Sequence, residues 1–486
     1  MNARSELLIL GTASLMAVIF VVTNIDQPAQ ADDSYISYRY ARNLAQGHGL
    51  VFNPGEKVEG ITSFLWTLMI AGGIHLGFDA PLFTHWLALL FSALFLFVGF
   101  AFAYRTHPTG HPTPYALLVP FILLCSVSFA TWSLSGMETP LYAFLALAAF
   151  WAAYEGKLIA AALLAGLCFW SRPDGGLVGF VILGVSFFGR AEQKDRAEWF
   201  KALAIWVFFI ISLTCFRYIY YGALVPNTFQ AKVGGIPFFR GVNYLRAFYL
   251  GGTAIFLPLA LFKINDKKFQ SVWLFIIGHT LYVLAIGGDV FRHSRFFLAV
   301  LPLIVILAVA ASYEFKPSVR RLSMALAIAL WLIVSQHIPF VKEAALDAVI
   351  KHRAQTQQRA QRHASEVSIY GDPVACIGIG HFGYYSDSRI LDMVGLVSPE
   401  VAREKGTEGF LVPGHQASNP DWILSQNPTV VFVDENYVFL PCQIEMLRHP
   451  HFRDNYISLG QYFVRKDLVE PSRSLSSVVD QGSLGG

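Results

Sequence analysis

The stretch ADDSYISYRYARNLAQGHGLVFNPGEKVEG, residues 31–60, decides the fold, and it follows shortly after the apolar run 7–23. That run is long enough to be a first membrane span, and the stretch opens on the acidic pair Asp32-Asp33. Arginine and tyrosine side chains follow the pair. Charged groups next to a span are costly in lipid, so they indicate a functional site. A base at the membrane–water boundary, with cations that could bind a lipid phosphate, is typical of an enzyme acting on a lipid-linked substrate.

The composition is that of a protein embedded in a membrane. Of the 486 residues, 55% are hydrophobic and 14% are charged, against about 25% charged in soluble domains; the mean hydropathy is +0.48. Apolar runs of about 17–25 residues recur along the first two thirds, which predicts a polytopic α-helical membrane protein. A net charge of +3 without a basic stripe excludes a nucleic-acid-binding protein. No small-residue cleavage site follows the first apolar run, so we expect an uncleaved first helix.

Twelve apolar segments are candidate spans, and 61–78 is doubtful because it is short and contains Gly72-Gly73. If 61–78 crosses the membrane, 8 of the 23 Lys and Arg residues up to Arg321 lie on the cytoplasmic side. If it lies on the outer face instead, 13 of the 23 lie on the cytoplasmic side. The positive-inside rule favours the second topology, with about eleven spans, an inside N-terminus and an outside C-terminal domain. The segments are 5–25, 61–78, 81–104, 115–132, 139–154, 157–171, 175–189, 200–220, 244–262, 270–287, 296–313 and 320–340.

The C-terminal third has a different composition. Residues 342–361 have the pattern of a polar helix, and short strands are expected within 374–380, 389–395, 429–436 and 458–467. We therefore predict three regions: a transmembrane catalytic domain over 1–340, a small α/β extracytoplasmic domain over 341–470, and a disordered Ser/Gly-rich tail over 471–486. Cys376 and Cys442 could pair if this domain lies outside the cytoplasm.

The outside loops of this topology collect the unusual polar residues, whereas the inside loops are ordinary charged turns. The outside sets are 32–60, SGMETP (135–140), SRPDGG (171–176), YYGALVPNTFQAK (220–232) and GGDVFRHSRF (287–296). This asymmetry predicts an active site at the outer membrane face.

The stretch DDSYISYRYARNLAQGHGLVFNPGEKVEGITSFLW resembles the first extracytoplasmic loop of the GT-C arabinofuranosyltransferase-like membrane proteins. That family includes the terminal β-arabinofuranosyltransferase of mycobacteria and the pilin arabinosyltransferase of Pseudomonas. Segments SGMETPLY, RPDG, PNTFQAK, GGDVFRHSRF and GYYSDSRILDMVGLV also resemble the family, in family order. One departure is Thr62-Ser63, where the family often has Thr-Asn, and the C-terminal domain is shorter than in the mycobacterial enzymes.

The resemblance implies a GT-C glycosyltransferase fold with outer-face juxtamembrane helices after the first span. It implies transfer of a sugar, D-arabinofuranose, from a polyprenyl-phosphate donor to an envelope glycan or a pilin-like protein, on the periplasmic face of the bacterial inner membrane. The alternatives are transfer of a hexose or aminosugar to lipid or protein, and a non-enzymatic lipid or glycan transporter or flippase. Transporters place polar groups near mid-membrane, and here the span centres hold few ionisable residues beyond His279 and His85.

The resemblance assigns catalysis to Asp32 and Asp33. Adjacent residues on a helix point about 100° apart, so we expect one carboxylate, Asp32 by preference, to be the base and the other to orient or cap. The structural alternative is that DDSY caps a helix over 35–46. Arg39 and Arg42 could share a helix face and bind the donor phosphate, or they could extend towards lipid headgroups.

The remaining candidates also have two interpretations. A second set is expected to bind the donor phosphate, or to form a structural ion network: Lys232, Asp289, Arg292, His293 and Arg295. A third set could bind substrate, or supply turns, helix starts, caps and local ion pairs: Tyr35, His48, Glu59, Thr62, Glu138, Arg172, Asp174, Asn227 and Thr228. A divalent cation could bind to His and carboxylate groups, but no ligand spacing specifies one.

Overall fold

The computed structural model describes residues 3–108, 113–189, 193–232, 238–334, 339–406, 415–433 and 438–469. The chain forms two compact units. The first unit comprises 1–31, 63–216 and 236–354, and the second comprises 32–62, 217–235 and 355–486. A single boundary near residue 340 therefore does not describe how the chain is divided, because two earlier segments fold with the C-terminal part. The predicted tail over 471–486 lies outside the described residues.

The described residues of the first unit form helices joined by turns and irregular segments, with no strand among them. Leu-, Ala- and Phe-rich runs form helices because a backbone in lipid must satisfy its hydrogen bonds internally. Its helices are Ala3–Asn24, Phe64–His75, Ala80–Arg105, Leu118–Cys125, Val127–Ser133, Thr139–Tyr154, Leu158–Ser171, Gly176–Gly189, Gln193–Tyr221, Phe238–Tyr249, Leu257–Ala260, Gln270–Ile286, Val300–Ser312, Pro317–Val334 and Pro339–Val367. Two of them, Gln193–Tyr221 and Pro339–Val367, run on into the second unit.

Five helices of the described residues are long and apolar enough to cross a membrane, and two bent helix pairs raise the number to seven. The bends are 66° between Pro114–Cys125 and Val127–Ser133, and 63° between Phe238–Tyr249 and Thr253–Lys263. Helix Phe64–His75 has 12 residues, or about 18 Å at 1.5 Å per residue, which is too short for a hydrocarbon core of about 30 Å. This length supports a segment 61–78 that does not cross. The count of eleven spans stays a prediction.

The second unit is built around a five-stranded sheet of short strands. They are Val374–Cys376, Ile390–Asp392, Val430–Val431, Tyr456–Ser458 and Phe463–Arg465, and their order in the sheet is second, first, third, fifth, fourth. The first strand is parallel to the second and third, and the last two form an antiparallel hairpin. The helices of this unit are Asp32–Ala45, Asn227–Lys232, Ile379–Ser386, Pro399–Ala402, Pro420–Ser425, Pro441–Arg448 and Pro450–Asn455.

Two of the strand predictions differ in detail from the structure. The strand predicted over 374–380 ends at Cys376, and a helix begins at Ile379. The predicted strand 458–467 is a turn followed by a strand, because the N–H of Leu459 donates to the carbonyl of Tyr462 and closes a tight turn. Cys376 and Cys442 are both buried free thiols.

Helix Asp32–Ala45 packs on helix Ile379–Ser386, and two glycines allow the close approach. A Cβ atom on Gly380 would lie 1.9 Å from the carbonyl oxygen of Asp32, and one on Gly383 would lie 2.8 Å from the ring of Phe52. Residues three apart share one helix face, so the glycines form a flat surface against the first loop. This packing positions the acidic pair.

Candidate active site

The carboxylate of Asp32 is held by a histidine and by the N-terminus of another helix. Asp32 is the first residue of helix Asp32–Ala45, and its Oδ1 lies 2.9 Å from Nδ1 of His381. The backbone N–H of His381 donates to Oδ1 at 2.7 Å, and that of Gly380 donates to Oδ2 at 3.2 Å. Both N–H groups are in the first turn of helix Ile379–Ser386, where intrahelical acceptors are missing and a negative charge is favourable.

These contacts lower the pKa of Asp32. Burial alone would raise this pKa, but the hydrogen bond and charge of His381, together with the two backbone N–H donors, outweigh the burial. The His381 side chain is 2% exposed and that of Asp32 is 40% exposed. Nε2 of His381 has no hydrogen-bond partner among the residues that the structure describes. Asp32 is therefore an anchored, ionised carboxylate and a weaker base than an isolated aspartate.

Asp33 lies beside Asp32 in the first turn of the same helix and is half-buried. Because successive side chains leave a helix about 100° apart, the two carboxylates leave the helix in different directions. The helix starts at Asp32 rather than at residue 35, so both acids are inside its first turn instead of preceding it. There they also favour the positive end of their own helix.

Arg39 binds the protein itself. It is 2% exposed, and Nε donates to the carbonyl of Phe52 at 2.7 Å while Nη2 donates to that of Ser388 at 2.6 Å. Nη1 donates to the carbonyl of Gly383, and Oδ1 of Asn53 accepts from Nη2 at 3.2 Å. A buried guanidinium is tolerated because its donors are satisfied in this way. These contacts give Arg39 a structural role within the second unit, and its phosphate contact stays a prediction.

Arg42 has the same kind of surroundings, three residues further along the helix. Nη1 donates to the carbonyl of Tyr384 at 2.9 Å, and Nη2 lies 2.6 Å from the 78%-exposed carboxylate of Asp387. The guanidinium also lies 4.8 Å from the ring centroid of Tyr384. The two arginines share a face, but the contacts of Arg42 are with protein groups. The phosphate contact of Arg42 also stays a prediction.

Glu59 and Arg217 form a buried ion pair. Both side chains are 5% exposed, and Nε of Arg217 lies 2.9 and 3.0 Å from the two carboxylate oxygens. Burial raises the pKa of Glu59, against the opposing effect of Arg217. The next helix begins at Phe64, so Glu59 is not the N-terminal charge of that helix. The ion pair is a structural contact of Glu59, and the predicted substrate contact stays a prediction.

Asn227 and Thr228 begin a helix, as their structural alternative proposed. Nδ2 of Asn227 donates to the carbonyls of Gly395 at 2.7 Å and Leu396 at 3.0 Å. Thr228 is buried. The side-chain donors of Asn227 thus fix the loop 393–398, which follows the second strand, and substrate contact by this amide stays a prediction.

Other candidates of the second unit have varied surroundings. Tyr35 is 1% exposed, and its ring centroid lies 4.2 Å from that of His381. His48 is an exposed turn residue between two glycines of positive φ, as its structural alternative proposed. Thr62 is half-buried at a bend. The side chain of Lys232 lies outside the described residues. Tyr35 therefore packs against His381, and its substrate contact stays a prediction.

In the first unit, Arg172 joins Glu138 and Asp174 in a buried ionic cluster. Nη1 of Arg172 lies 3.1 Å from Glu138, and Nε lies 2.9 Å from Asp174. The three side chains are 3–8% exposed, and the guanidinium lies 4.7 Å from the ring centroid of Phe296. Glu138 makes no side-chain cap to the helix that follows it. The cluster pairs its own charges, which fits the local ion pairs of the structural alternative, and the substrate contacts of the three residues stay predictions.

Asp289 and Arg295 also form a buried pair, with Oδ2 of Asp289 2.8 Å from Nε of Arg295 and both side chains at most 8% exposed. The guanidinium lies 5.3 Å from the ring centroid of Trp132. Arg292 is exposed. The predicted phosphate-binding set is thus divided: Asp289 and Arg295 fit the structural ion network that was the alternative, and Arg292 is open to a ligand.

His293 lines a cavity of about 180 Å³ in the first unit. Ser126 and Ser128 also line it, and its apolar wall includes Phe248 and Trp331. Both helix bends described above open onto this cavity, and His293 has a positive φ of 66°. Burial, with the nearby charges of Arg353 and Arg292, lowers the pKa of His293, so the ring is neutral at pH 7. The cavity therefore combines polar donors with an apolar wall.

Two residues that the sequence reasoning did not select contribute to these sites. His381 lies two residues before the family-like segment GYYSDSRILDMVGLV, which begins at Gly383, and its signal was a histidine just after a predicted short strand. Arg353 donates from Nη1 to the carbonyls of Ala29 and Thr131, and it lies 5.7 Å from the ring centroid of Trp132. It lies in a helix that the sequence marks only as polar, so nothing in the sequence distinguished it.

No group of three or more His, Cys, Asp or Glu side chains suited to a metal ion occurs in the described part of the chain. The possible divalent cation therefore has no support from side-chain geometry.

Comparison with known proteins gives one family model, described as "Domain of unknown function (DUF8728)", which matches residues 347–475. The chain is 30% identical over 334 residues to the terminal beta-(1->2)-arabinofuranosyltransferase of Corynebacterium glutamicum, covering 57% of this chain and 47% of that protein. It is 28% identical over 352 residues to the enzyme of the same name from Mycobacterium tuberculosis, covering 61% and 54%. The chain thus spans about half the length of these relatives.

Solved structures show the fold. The chain is similar to ArnT from Cupriavidus metallidurans bound to undecaprenyl phosphate, with a TM-score of 0.54 and 11% identity over 80% of this chain and 86% of that chain. It is also similar to the apo oligosaccharyltransferase of Archaeoglobus fulgidus, with a TM-score of 0.56 and 13% identity over 89% and 70%. The chain therefore has a GT-C fold and is a multi-pass membrane protein, and it resembles arabinofuranosyltransferases in sequence.

Proposed function

We propose that the protein is a membrane glycosyltransferase that transfers D-arabinofuranose from a polyprenyl-phosphate donor to an envelope glycan or a pilin-like protein. The observation that carries the proposal is the acidic pair Asp32-Asp33, which opens a helix whose first carboxylate is held by His381 and Gly380. Similarity to two terminal arabinofuranosyltransferases supports the sugar. Fold neighbours named with undecaprenyl phosphate and dolichol-phosphate support a lipid-linked donor.

In the proposed reaction the acceptor hydroxyl oxygen bonds to the anomeric carbon while the bond from that carbon to the phosphate oxygen breaks. The polyprenyl phosphate leaves as a monoester, and the hydroxyl proton passes to Asp33. Asp33 is favoured over Asp32 as base because hydrogen bonds occupy the oxygens of Asp32 and lower its pKa. Asp32 acts as a positioning residue that fixes the helix carrying Asp33.

The cavity lined by His293 supports a donor that is polar at one end and apolar at the other. A neutral His293 ring and the hydroxyl group of Ser126 could donate hydrogen bonds to phosphate oxygens, whereas the hydroxyl of Ser128 donates to the carbonyl of His293 at 2.6 Å. Phe248 and Trp331 offer an apolar wall to the first isoprene units. Arg292, exposed beside His293, adds a cation for the phosphate.

The outer face of the bacterial inner membrane is the proposed place of reaction. Nucleotide-activated sugars are confined to the cytoplasm, so a sugar used outside must arrive on a lipid. The Lys and Arg distribution, with 13 of 23 residues inside in the favoured topology, supports an outside first loop.

The proposal is tested with purified protein in proteoliposomes, polyprenyl-phosphoryl arabinose labelled in the sugar, and an arabinan or pilin acceptor. Asp33→Asn should lower kcat about 100-fold or more, since a positioned base contributes about 10²–10⁴-fold. Asp454→Asn, an exposed aspartate of the second unit, is the matched control and should retain wild-type turnover.

Full turnover by folded Asp33→Asn would refute the assignment of the base. Transfer of a hexose but no pentose would refute the arabinose assignment and leave a glycosyltransferase. Movement of labelled lipid between leaflets without transfer to any acceptor would refute the enzyme and favour a flippase.

A further inference from the structure

We infer that a cleft in the second unit binds a saccharide segment of the acceptor. The cleft has a volume of about 350 Å³, which is within the range of small-molecule sites. Six of its lining residues carry the argument: Glu56, Arg389, Val397, Glu400, Trp422 and Gln426. All six belong to one compact unit. That the saccharide belongs to the acceptor rests on the proposed function. That the cleft binds a saccharide does not.

Trp422 supplies an aromatic surface that is held in place. Its ring packs against the hydrophobic core of the second unit, and it is half-buried, so another part of the indole lines the cleft. Its backbone N–H donates to Oδ1 of Asn419 at 2.9 Å, which fixes the start of the short helix that carries it. A fixed aromatic side chain contributes contact area at low entropic cost.

A row of polar side chains lines the same cleft. Nε of Arg389 lies 2.6 Å from Oε1 of Glu56, and Nη2 of Arg389 lies 3.4 Å from Oε1 of Gln426. Oε2 of Glu56 accepts from Nδ2 of Asn53 at 2.9 Å. The row is therefore oriented before any ligand arrives, yet Arg389 is 41% and Glu56 33% exposed. Glu400, which is exposed, adds a second carboxylate.

This pairing of surfaces fits a sugar ring better than a lipid chain. A sugar ring has C–H groups on its faces and hydroxyl groups around its edge, so one face can lie on Trp422 while the hydroxyls reach Glu56 and Arg389. Each hydroxyl can both donate and accept, which suits a site holding carboxylate, guanidinium and amide groups side by side. An isoprenoid chain would remove water from these groups without replacing its hydrogen bonds.

The cleft is built from the same segments as the candidate active site. Glu56 belongs to the first loop, which begins at Asp32-Asp33. Val397 belongs to the loop 393–398, whose carbonyl groups bind Asn227, and the side chain of Val397 also touches Gly60. A saccharide in the cleft would therefore contact the loop that carries the proposed base.

Binding is tested without donor, with the full chain in lipid nanodiscs and arabino-oligosaccharides of two to six units as probes, by calorimetry and tryptophan fluorescence. Trp422→Ala should raise Kd about tenfold or more, which is about 1.4 kcal/mol, and Trp422→Phe should raise it less. Glu400→Gln should weaken binding without affecting the core, since Glu400 is exposed. Trp86→Ala, a 57%-exposed tryptophan of the first unit, is the matched control and should leave Kd unchanged.

The outcomes separate this inference from the proposed function. Asp33→Asn should bind the saccharide normally even though transfer is lost. If the wild-type protein binds none of the probes at millimolar concentration, or if Trp422→Ala and Glu400→Gln both leave Kd unchanged, the cleft is not a saccharide site. Binding of an acceptor peptide that depends on Trp422, without saccharide binding, would also overturn the inference. Should Trp422→Ala fail to fold, Glu400→Gln and Gln426→Ala decide the question.

Discussion

The contact between His381 and Asp32 gives a prediction whose size can be worked out. A hydrogen bond to an ionised group contributes about 1.5–3 kcal/mol. Because the Asp32 side chain is 40% exposed, solvent screens part of this interaction, and about 1–2 kcal/mol is expected for the side-chain contact alone. Two backbone N–H donors remain on Asp32 when the His381 side chain changes. The loss should therefore weaken, but not abolish, the anchoring of the helix.

The perturbation uses three variants of His381. In His381→Asn the amide nitrogen stands where Nδ1 stands in histidine, so it can still donate to Asp32, whereas the amide of His381→Gln reaches the position of Nε2 and cannot. His381→Ala removes both ring nitrogens. We expect His381→Ala and His381→Gln to lower the rate of sugar transfer by about 5–30-fold, which corresponds to 1–2 kcal/mol, and His381→Asn to retain most of it.

A double-mutant cycle with Asp32→Asn measures the coupling directly. At pH 7, the changes in activation free energy of the two single variants, taken from their transfer rates, should differ in sum from that of the double variant by about 1–2 kcal/mol. The lowered pKa of Asp32 gives a stability contribution that is present above the ordinary value of 3.8 and lost as pH falls through the lower folded value. The difference in thermal stability between wild type and His381→Ala should therefore shrink below about pH 4. Additive effects, or equal activity of His381→Asn and His381→Gln, would refute the reasoning.

Two further predictions concern packing and buried charge. Gly380→Ala would place a Cβ 1.9 Å from the backbone of Asp32, so we expect loss of transfer as large as in the His381 variants, whereas Gly378→Ala, which has no atom within 4 Å of its Cβ, should retain activity in the same assay. Glu59→Ala leaves the guanidinium of Arg217 buried without its carboxylate and should destabilise the protein by about 3–5 kcal/mol in chemical unfolding. Combining Glu59→Leu with Arg217→Met should recover most of that loss, and a double variant as unstable as Glu59→Ala would contradict the explanation.

The sequence predicted the helices of the first unit well because long apolar runs have few alternatives in lipid. It did not predict the bend at Ser126, since an uninterrupted apolar run does not reveal where a helix breaks. The role of Arg39 was missed for a different reason. Its partners include the carbonyl of Gly383, 344 residues away along the chain, and backbone carbonyls carry no residue-specific signal.

The acidic pair was predicted as the centre of the site from its place beside a span. The residues around the pair could not be predicted in the same way. The partners of Asp32 lie in a short helix that the sequence assigns partly to a strand. Arg172, Asp174 and Glu138 show the reverse case. Their residue types suggested substrate binding, but the sequence could not show that they are buried and paired with one another.

The discontinuous second unit has a consequence for biogenesis. The first loop leaves the ribosome early, yet Arg39 can donate to the carbonyl of Gly383 only after 344 further residues have been made. At about 5–20 residues per second, that interval is roughly 20–70 s. During this time the guanidinium and the acidic pair must stay hydrated beside the membrane. The part of the chain that holds Asp32 is therefore synthesised late. Until synthesis has passed His381, the contacts that hold Asp32 cannot form.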